Sequence, residues 1–222
     1  MADQISGHTP HLATARRYGN LSAAERREER RRRLLRAAVE CFSRQGFSDT
    51  SIEQLCAAAR VSTRTFYEEF GSREAILSEL HDDLNETAFT AARRALEDCR
   101  VAGVGDVVDI VRAGLDAYFA VMTNDRARAR VVLIQAVGVS RELEWRRQLA
   151  VGRFAGLVAD EARALVAAGL ISDRDYSLTA VGVVGAIKEL VTAWAVRSTE
   201  LPLDAVVDEA VRITVAVVTS DT

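Results

Sequence analysis

Proline is scarce in this sequence, where Pro10 and Pro202 are the only two among 222 residues. A proline inside a helix removes a backbone N–H donor and clashes with the preceding turn, so it breaks or kinks the helix. Nearly two hundred consecutive residues therefore carry no helix breaker, and Ala, Leu, Arg and Glu dominate them. These residue types favour helices. The sequence predicts an all-α protein.

Cysteine pairs and uncharged apolar runs are also lacking. The three cysteines have neither the spacing of metal ligands nor that of a disulfide framework, and no signal peptide opens the sequence. The longest apolar stretch, 177–196, carries Lys188 and Glu189 at its centre, which disfavours a membrane span. We therefore expect a cytoplasmic protein that does not insert into a membrane.

Helical periodicity in the first third of the chain predicts three helices. The first covers 23–45 and ends at a glycine. Thr50 and Glu53 fit the S/T-x-x-E capping box, which predicts the start of a second helix. Ser62 is the predicted N-cap of a third helix over 63–70. Short helices joined by so tight a turn are typical of a helix-turn-helix motif.

The rest of the chain is also predicted to be helical. A long amphipathic helix runs from about Ser72 to Cys99 and links the small domain to the larger one. Glycines and short polar segments separate the helices that follow. These are predicted over 106–121, 126–138, 141–168, 174–197 and 203–219.

Several polar residues of the second and third helices are suited to DNA. The first turn of the second helix of such a motif enters the major groove, where Arg64 could bind guanine O6 and N7. Tyr67 combines a packing ring with a hydroxyl suited to phosphate. Thr50, Ser51 and Arg73 lie at helix N-termini, where free N–H groups favour an anion. The predicted DNA-binding residues are Thr50, Ser51, Ser62, Thr63, Arg64, Thr65, Tyr67 and Arg73.

Two charged segments leave alternatives open. The arginine-rich run 26–33 could contact phosphates, but two of its glutamates lie four residues before arginines, an order that equally favours a solvated helix face. Glu68 and Glu69 would repel phosphates on a DNA-facing helix. Either they face away from DNA, or Glu68 accepts a hydrogen bond from a cytosine amine.

The segment 50–77 closely resembles the DNA-binding signature of the TetR family of transcriptional regulators. A weaker resemblance at 185–191, to the penultimate helix of the family's C-terminal domain, extends the similarity over 23–220. The resemblance implies a DNA-binding regulator with an all-helical fold. Its most specific elements are Val61-Ser62, Phe66-Tyr67 and the Phe-Gly-Ser-Arg-Glu-Ala-Ile-Leu sequence over 70–77.

Two residues depart from the family pattern. Cys56 stands where alanine is typical, and we expect it to pack inside because the two side chains are nearly isosteric. Arg60 stands where a turn glycine is typical. If this turn requires a positive φ, arginine costs about 1 kcal/mol relative to glycine.

The last two predicted helices are apolar on more than one face. A helix that is apolar nearly all round must be covered on both sides, so one side needs a partner. A symmetric four-helix interface between two copies provides this cover, and it presents two recognition helices to a palindromic operator in double-stranded DNA. The predicted interface residues are Val184, Ile187, Val191, Trp194, Val207, Val211 and Val215.

The resemblance also implies a repressor that releases DNA when a small molecule fills the C-terminal domain. The helices over 106–121, 126–138 and 141–168 combine aliphatic surface with a few large or polar side chains, which is typical of a mostly apolar pocket. Core packing explains the same residues equally well, so both interpretations stay open. The predicted pocket for a largely apolar effector contains Tyr118, Met122, Gln135, Trp145 and Phe154.

Two other functions stay open beside this one. A DNA-binding regulator without a small-molecule effector has the same sequence features. An enzyme is a remote alternative, because His8, His11 and His81 are the only histidines and no nucleophile elbow, phosphate loop or carboxylate cluster is present. We therefore expect no catalytic residue, no cofactor and no bound metal.

The predicted organisation has three parts. It comprises a disordered N-terminal arm over 1–22, a helix-turn-helix DNA-binding domain over 23–72, and a C-terminal helical domain over 73–222 for ligand binding, regulation and dimerisation.

Overall fold

The computed structural model describes residues 22–103, 105–197 and 201–220. Within these ranges every regular element is a helix, which confirms the all-α prediction. The elements are α1 (Ala23–Gln45), α2 (Ile52–Ala59), α3 (Thr63–Glu69), α4 (Arg73–Ala102), α5 (Val107–Met122), α6 (Arg126–Arg130), a single π-helical turn (Val131–Gln135), α7 (Arg141–Ala167), α8 (Ser177–Val196) and α9 (Leu203–Thr219).

Capping side chains decide where α1 and α3 begin. Ser22 and Glu25 form a reciprocal capping box at the start of α1, so Ser22 belongs to this helix and not to the predicted arm. The rest of that arm, 1–21, lies outside the described residues. Ser62 caps α3, where its hydroxyl accepts the Thr65 N–H at 3.1 Å. Both helices therefore begin at the predicted residues.

The start of α2 differs from the prediction by one residue. Its capping box joins Ser51 and Gln54, not Thr50 and Glu53. Both pairs fit the capping pattern. Burial decides between them, because Thr50 faces inward and its hydroxyl donates to the Gly46 carbonyl at 2.7 Å.

Helices α1, α2 and α3 pack with the first turns of α4 around one apolar core. The rings of Phe42 and Phe47 meet at 5.2 Å between centroids, and those of Phe66 and Phe70 at 6.3 Å. Aromatic rings therefore form the centre of this small domain. The largest side chains that it buries completely are Leu34, Phe42, Leu55, Phe66, Ile76 and Leu77.

Helix α4 continues into the larger domain, where it packs against α5 and α7. Contacts between Phe89 and Phe154, and between Arg100 and Glu161, show that α4 and α7 run side by side in the same direction. Helix α8 packs between α7 and α9, and α9 returns against α5. Five helices therefore surround the centre of this domain.

Helix α6 is shorter than the predicted helix over 126–138. It ends at Arg130 and continues as one π-helical turn, after which Gly138 takes a positive φ. Helix α6 packs against both α1 and α8, so this segment contacts the two domains. Single π-turns inserted in helices often occur at functional sites.

Helix α8 is long and apolar enough to cross a membrane by length and composition alone. It packs instead against α7 and α9, and its Val191 is completely buried. Lys188 and Glu189 lie near its middle. A core helix of the larger domain passes the same test, and α8 occupies that position.

Candidate DNA-binding surface and ligand cavity

Helix α3 buries one face and exposes the other. Phe66 is completely buried against the core, whereas Thr63, Arg64 and Tyr67 are exposed. The Arg64 side chain is 88% exposed and pairs with Glu68 at 2.9 Å, one turn further along the same helix. Exposed pairs of this kind are weak, so the Arg64 guanidinium is free to exchange Glu68 for another acceptor.

Glu68 and Glu69 point in different directions. The Glu69 side chain is only 3% exposed and faces away from the α3 surface, where it accepts from Arg27 at 2.9 Å and Arg30 at 3.2 Å. Burial alone would raise the pKa of Glu69, but the hydrogen bonds and charges of both arginines outweigh burial and hold this pKa below its ordinary value. Glu69 therefore places no unpaired negative charge on the exposed face of α3.

The arginine-rich run of α1 acts mainly inside the small domain. The Arg31 guanidinium donates to the Glu69 carbonyl at 2.7 Å, lies 4.3 Å from the centroid of the Phe70 ring and pairs with Glu79. Together with the pairs to Glu69, these contacts join α1 to α3 and α4. Arg32 is bound to glutamates of its own helix, as expected for a solvated face. A structural clamp was not among the interpretations of this run that the sequence left open.

The turn between α2 and α3 requires a left-handed residue. Arg60 has φ 54° and ψ 50°, and it is the only non-glycine residue with a positive φ among those the structure describes. The Val61 N–H donates across the turn to the Cys56 carbonyl at 3.0 Å. Cys56 itself is buried, as predicted. The positive φ on which the expected strain at Arg60 depends is therefore present.

Arg73 and Thr50 serve the interior of the small domain. The Arg73 guanidinium donates to the carbonyls of Phe47 and Thr50 and lies over the Phe47 ring, 5.0 Å from its centroid. It therefore holds the chain that leads into α2. The prediction that the Thr50 side chain binds DNA is wrong, because that side chain is completely buried and its hydroxyl bonds internally. Ser51, the cap of α2, is exposed.

A cavity that is partly open to solvent lies among α4, α5, α7, α8 and α9; the empty space in it, counted together with the solvent at its mouth, is roughly 1270 Å³. Tyr118, Met122 and Phe154 lie in its wall, and the Tyr118 and Phe154 rings meet edge to face at 5.4 Å between centroids. Burial raises the pKa of the Tyr118 phenol, which therefore stays protonated and able to donate a hydrogen bond.

Two predicted pocket residues lie elsewhere. Gln135 points from the π-turn towards the small domain, where its Oε1 accepts the Phe47 N–H at 3.0 Å. Trp145 lies near the start of α7, is 59% exposed and borders a separate surface groove with Asp82 and Arg153. The prediction is wrong for both residues, because residue type does not show to which side of a helix a side chain points.

Charged residues distinguish the two ends of the cavity. Arg147 and Lys188 line one end, together with the buried His81, and Glu144 pairs with Arg147 at 2.8 Å, so one positive charge there is left unbalanced. The opposite end is apolar except for Glu161 on α7 and the hydroxyl of Thr214 on α9. From Arg147 to Glu161 a helix rises on the order of 21 Å. The cavity is therefore long, basic at one end and mostly apolar beyond it.

Sequence reasoning missed these polar residues of the cavity wall, although the position of Glu161 in the sequence could have indicated it. Glu161 falls between Leu157 and Leu165, each four residues away along α7, so helical periodicity puts it on the apolar face. A carboxylate at such a position marks either a buried ion pair or a binding site. Among the described residues, no group of three or more His, Cys, Asp or Glu side chains could hold a metal ion.

The predicted dimer residues lie largely inside one chain. Val184, Ile187, Val191, Trp194 and Val211 are buried against the other helices, while Val207 and Val215 are half-buried. The prediction is wrong for the five buried residues, because these bulky side chains fill the chain's own core; for the half-buried Val207 and Val215 it stays a prediction. The outer face of α8 carries other apolar and small residues, namely Leu178, Val181, Gly182, Gly185 and Val196.

Comparison with known sequences finds a family match in the small domain. Residues 34–80 match the family described as bacterial regulatory proteins, tetR family. The HTH-type transcriptional regulator HbdR from Aromatoleum sp. (strain CIB) is 44% identical over 50 residues. That alignment covers 22% of this chain and 22% of HbdR, so it concerns about a fifth of either protein.

Solved structures match the fold over most of the chain. The fatty acid degradation regulator FadR from Bacillus halodurans has a TM-score of 0.73 at 18% identity, covering 83% of this chain and 94% of that one. The transcriptional regulator FadR from Bacillus subtilis, solved in complex with stearoyl-CoA, has a TM-score of 0.69 at 19% identity, covering 86% and 99%. At these identities the similarity shows the fold alone.

Proposed function

Because this chain belongs to the TetR family of bacterial regulatory proteins, we propose that it is a cytoplasmic, homodimeric repressor. It binds a palindromic operator through α3 and leaves that operator when an amphipathic small molecule fills the cavity. The observation that carries the proposal is the presence, in one chain, of an exposed helix-turn-helix surface and a long, basic-ended apolar cavity.

The first step of the proposal is recognition of DNA by α3. Thr63 and Arg64 stand exposed in its first turn, which enters the major groove in helix-turn-helix proteins. Ser62 caps the same turn by accepting the Thr65 N–H, and Tyr67 stands exposed one turn later. Ser51 at the start of α2 is the proposed phosphate contact, and Arg73 supports it indirectly by holding the chain that leads into α2. Bases are therefore read mainly by Arg64, and the remaining residues position the helix.

Arg64→Ala tests the DNA step. We expect operator affinity to fall by about 1–3 kcal/mol and discrimination to relax at one base per half-site, because the bidentate guanine contact is lost. The assay is binding of the full-length protein to operators selected from random DNA, over a range of salt concentrations. Arg93→Ala is the matched control, since Arg93 is also exposed and paired with a glutamate one turn away, but lies on α4 in the other domain. Unchanged affinity and base preference in Arg64→Ala would refute this placement.

The second step is dimerisation through the outer face of α8. Leu178 is 85% exposed and Val181 49% exposed, with Gly182 and Gly185 beside them along the same face. The glycines allow two helices to approach closely, and the exposed apolar side chains beside them pack across the contact. Two α8 helices and two α9 helices then form a four-helix interface, which sets the spacing of the two recognition helices.

Val181→Asp tests the dimer, because it places a charge in the seam without entering the chain's own core. We expect dissociation to monomers in analytical ultracentrifugation and weaker operator binding. Val101→Asp is the matched control, since Val101 is exposed at the far end of α4. Val191→Asp would instead destabilise the fold, because Val191 is completely buried. A folded wild-type monomer at micromolar concentration would refute the dimer.

The third step is the chemistry of the effector. The cavity is lined mostly by apolar residues, with Arg147 and Lys188 at one end. A ligand with a long apolar chain and an anionic head matches this distribution. The FadR structure from Bacillus subtilis contains stearoyl-CoA, which is a molecule of that kind. Its fold resembles that of this chain, which supports the same class of ligand here.

The fourth step is the connection between the cavity and the DNA-binding domain. Val132 and Leu133 of the π-turn line the cavity, and Gln135 of the same turn binds the Phe47 N–H. A ligand that displaces this turn therefore acts directly on the small domain. To release DNA, the ligand must bind the DNA-incompetent arrangement of the protein more tightly than the DNA-competent one. A tenfold loss of operator affinity needs a coupling free energy of about 1.4 kcal/mol between the cavity and the DNA-binding surface.

Binding of long-chain fatty acids and their CoA thioesters tests the effector steps. We expect these compounds to raise the melting temperature of the protein and to weaken operator binding. Tyr118→Phe should shift the effector dose response without changing operator affinity in the absence of effector, and Lys188→Met should weaken binding of the anionic head. If no compound changes either the melting temperature or operator binding, a regulator without a small-molecule effector is supported instead.

A further inference from the structure

Glu161 is a buried carboxylate in the cavity wall that the proposed function does not yet use. Its side chain is 10% exposed. No hydrogen-bond partner of its Oε1 exists among the described residues, and Oε2 lies 3.8 Å from the Arg100 Nε. Burying an ionised carboxylate without partners is costly, so such a group requires an explanation.

The surroundings of Glu161 do not satisfy this carboxylate. Its neighbours in the cavity wall include Leu96, Ala162 and Leu165. Burial raises the pKa of the Glu161 carboxyl, and the charge of Arg100 offsets this rise only in part. The Arg100 side chain is about half exposed, so water also competes for its guanidinium. The carboxyl therefore keeps one free oxygen at the apolar end of the cavity.

Glu69 shows how the same chain satisfies a buried glutamate with a structural role. Glu69 accepts from Arg27 at 2.9 Å and from Arg30 at 3.2 Å, one arginine for each oxygen. Glu161 has one distant arginine and an open cavity beside it. A purely structural ion pair explains Glu69 and leaves the free oxygen of Glu161 unexplained.

We propose that Glu161 determines effector specificity by accepting a hydrogen bond from a hydroxyl or protonated amine on the effector, at the end remote from its anionic head. This inference rests on the proposed function, because it requires the effector to occupy the cavity. The head lies near Arg147 and Lys188, and the donor reaches Glu161 at the other end. The effector is therefore a long-chain acid, or a derivative of one, with a polar group near its tail.

Calorimetric titration of the full-length protein with hexadecanoic, ω-hydroxyhexadecanoic and ω-aminohexadecanoic acids tests this inference. We expect the wild type to bind one or both ω-substituted acids at least about tenfold more tightly than the parent acid, because a hydrogen bond to a charged acceptor is worth that much. The compound that binds more tightly distinguishes the hydroxyl from the amine.

Substitution of Glu161 provides the second arm. Glu161→Leu should abolish the preference for a substituted tail, whereas the isosteric Glu161→Gln should keep a preference for the hydroxyl and lose one for the amine. Glu161→Gln carries the test if the leucine variant does not fold. Asp160→Asn is the matched control, because Asp160 is the preceding residue of α7 and is exposed.

The outcomes separate this inference from the proposed function. Equal affinity of the wild type for all three acids, or a preference that persists in Glu161→Leu, would overturn the role of Glu161 while leaving the cavity a fatty-acid site. Absence of binding of all three acids would overturn both the role of Glu161 and the proposed effector class. A preference that disappears only when Glu161 is replaced supports the inference.

Discussion

The two domains of this chain use similar helices but pack them differently. In the small domain the largest apolar side chains meet one another, and the buried carboxylate of Glu69 has an arginine at each oxygen. In the larger domain the helices surround a cavity that is partly open to solvent, and the buried carboxyl of Glu161 has a free oxygen. The first domain is thus built to hold α3 in one geometry. The second leaves room for a ligand.

This difference in packing predicts a difference in sensitivity to mutation. Removing a buried side chain costs most where the surrounding atoms cannot relax into the space. A side chain that already borders a cavity makes fewer contacts, so its removal costs less. Four measurements, taken from the largest expected effect to the smallest, can contradict or refine this comparison.

Phe66→Ala against Phe154→Ala gives the largest expected difference. Phe66 is completely buried in the small domain, so its removal should lower the free energy of unfolding by about 3–5 kcal/mol. Phe154 lies in the cavity wall, and we expect a loss of less than about half that amount. Urea denaturation followed by circular dichroism measures both, with the exposed Tyr67→Ala as a control. Equal losses would mean that the cavity closes in solution.

The packed domain is also where sequence reasoning worked best. Helix starts at Ser62 and Ser72 were predictable because a capping side chain bonds its own neighbours. The error at α2 arose because two overlapping capping patterns fit equally, and only the tertiary burial of Thr50 selects one. The clamp formed by Arg31 was missed for the same reason, since its partners on α3 and α4 are distant in sequence.

In the larger domain composition did not reveal the direction of side chains. Helix α8 is apolar nearly all round, and its bulky residues such as Val191 proved to face the chain's own core. Gln135 and Trp145 have the residue types of a pocket but point away from it. Residues that line a cavity and residues that fill a core follow the same helical period, so periodicity cannot separate them.

The pH dependence of stability should have opposite signs for the two buried glutamates. The pKa of Glu69 is lowered on folding, so its contribution to stability is present above the unfolded pKa of about 4.3 and is lost as pH falls through the folded pKa. The pKa of Glu161 is raised, so its contribution is present below the unfolded pKa and is lost as pH rises through the folded pKa.

Glu69→Gln and Glu161→Gln separate these two effects. At neutral pH we expect Glu69→Gln to destabilise by about 1–3 kcal/mol, because it breaks charge-assisted hydrogen bonds, and to flatten the loss of stability in acid. Glu161→Gln should be neutral or stabilising at the same pH, because it removes a buried charge without adequate partners. Thermal denaturation across an acidic pH series measures both. A destabilised Glu161→Gln would show that Arg100 is a sufficient partner.

Gln135→Ala tests the link between the two domains. It leaves the Phe47 N–H without its acceptor, at a cost of about 1 kcal/mol, and should reduce the effect of a bound effector on operator affinity several-fold. Operator affinity without effector should change little. Gln135→Glu is the rescue variant, because its carboxylate can still accept the same hydrogen bond. An unchanged effector response in Gln135→Ala would place the coupling elsewhere, for example along α4.

Arg60 is the exception to the close fit of the small domain, and its replacement has the smallest expected effect. An L-residue at φ 54° is strained, yet the hydrogen bond from Val61 to Cys56 closes the turn around it. Arg60→Gly should therefore raise the free energy of unfolding by up to about 1 kcal/mol, reduced by the greater freedom of glycine in the unfolded chain. Arg60→Asn should give part of this gain, because asparagine tolerates left-handed backbone, whereas Arg60→Ala should give none. Equal stability of the glycine and alanine variants would show that the strain is absent.

The same three variants separate the effect of strain from the effect of charge on DNA binding. All three remove the guanidinium, so an equal loss of operator affinity with a shallower salt dependence would identify Arg60 as a phosphate contact. A loss confined to the alanine variant would instead show that the turn must keep its left-handed geometry to aim α3 at the major groove.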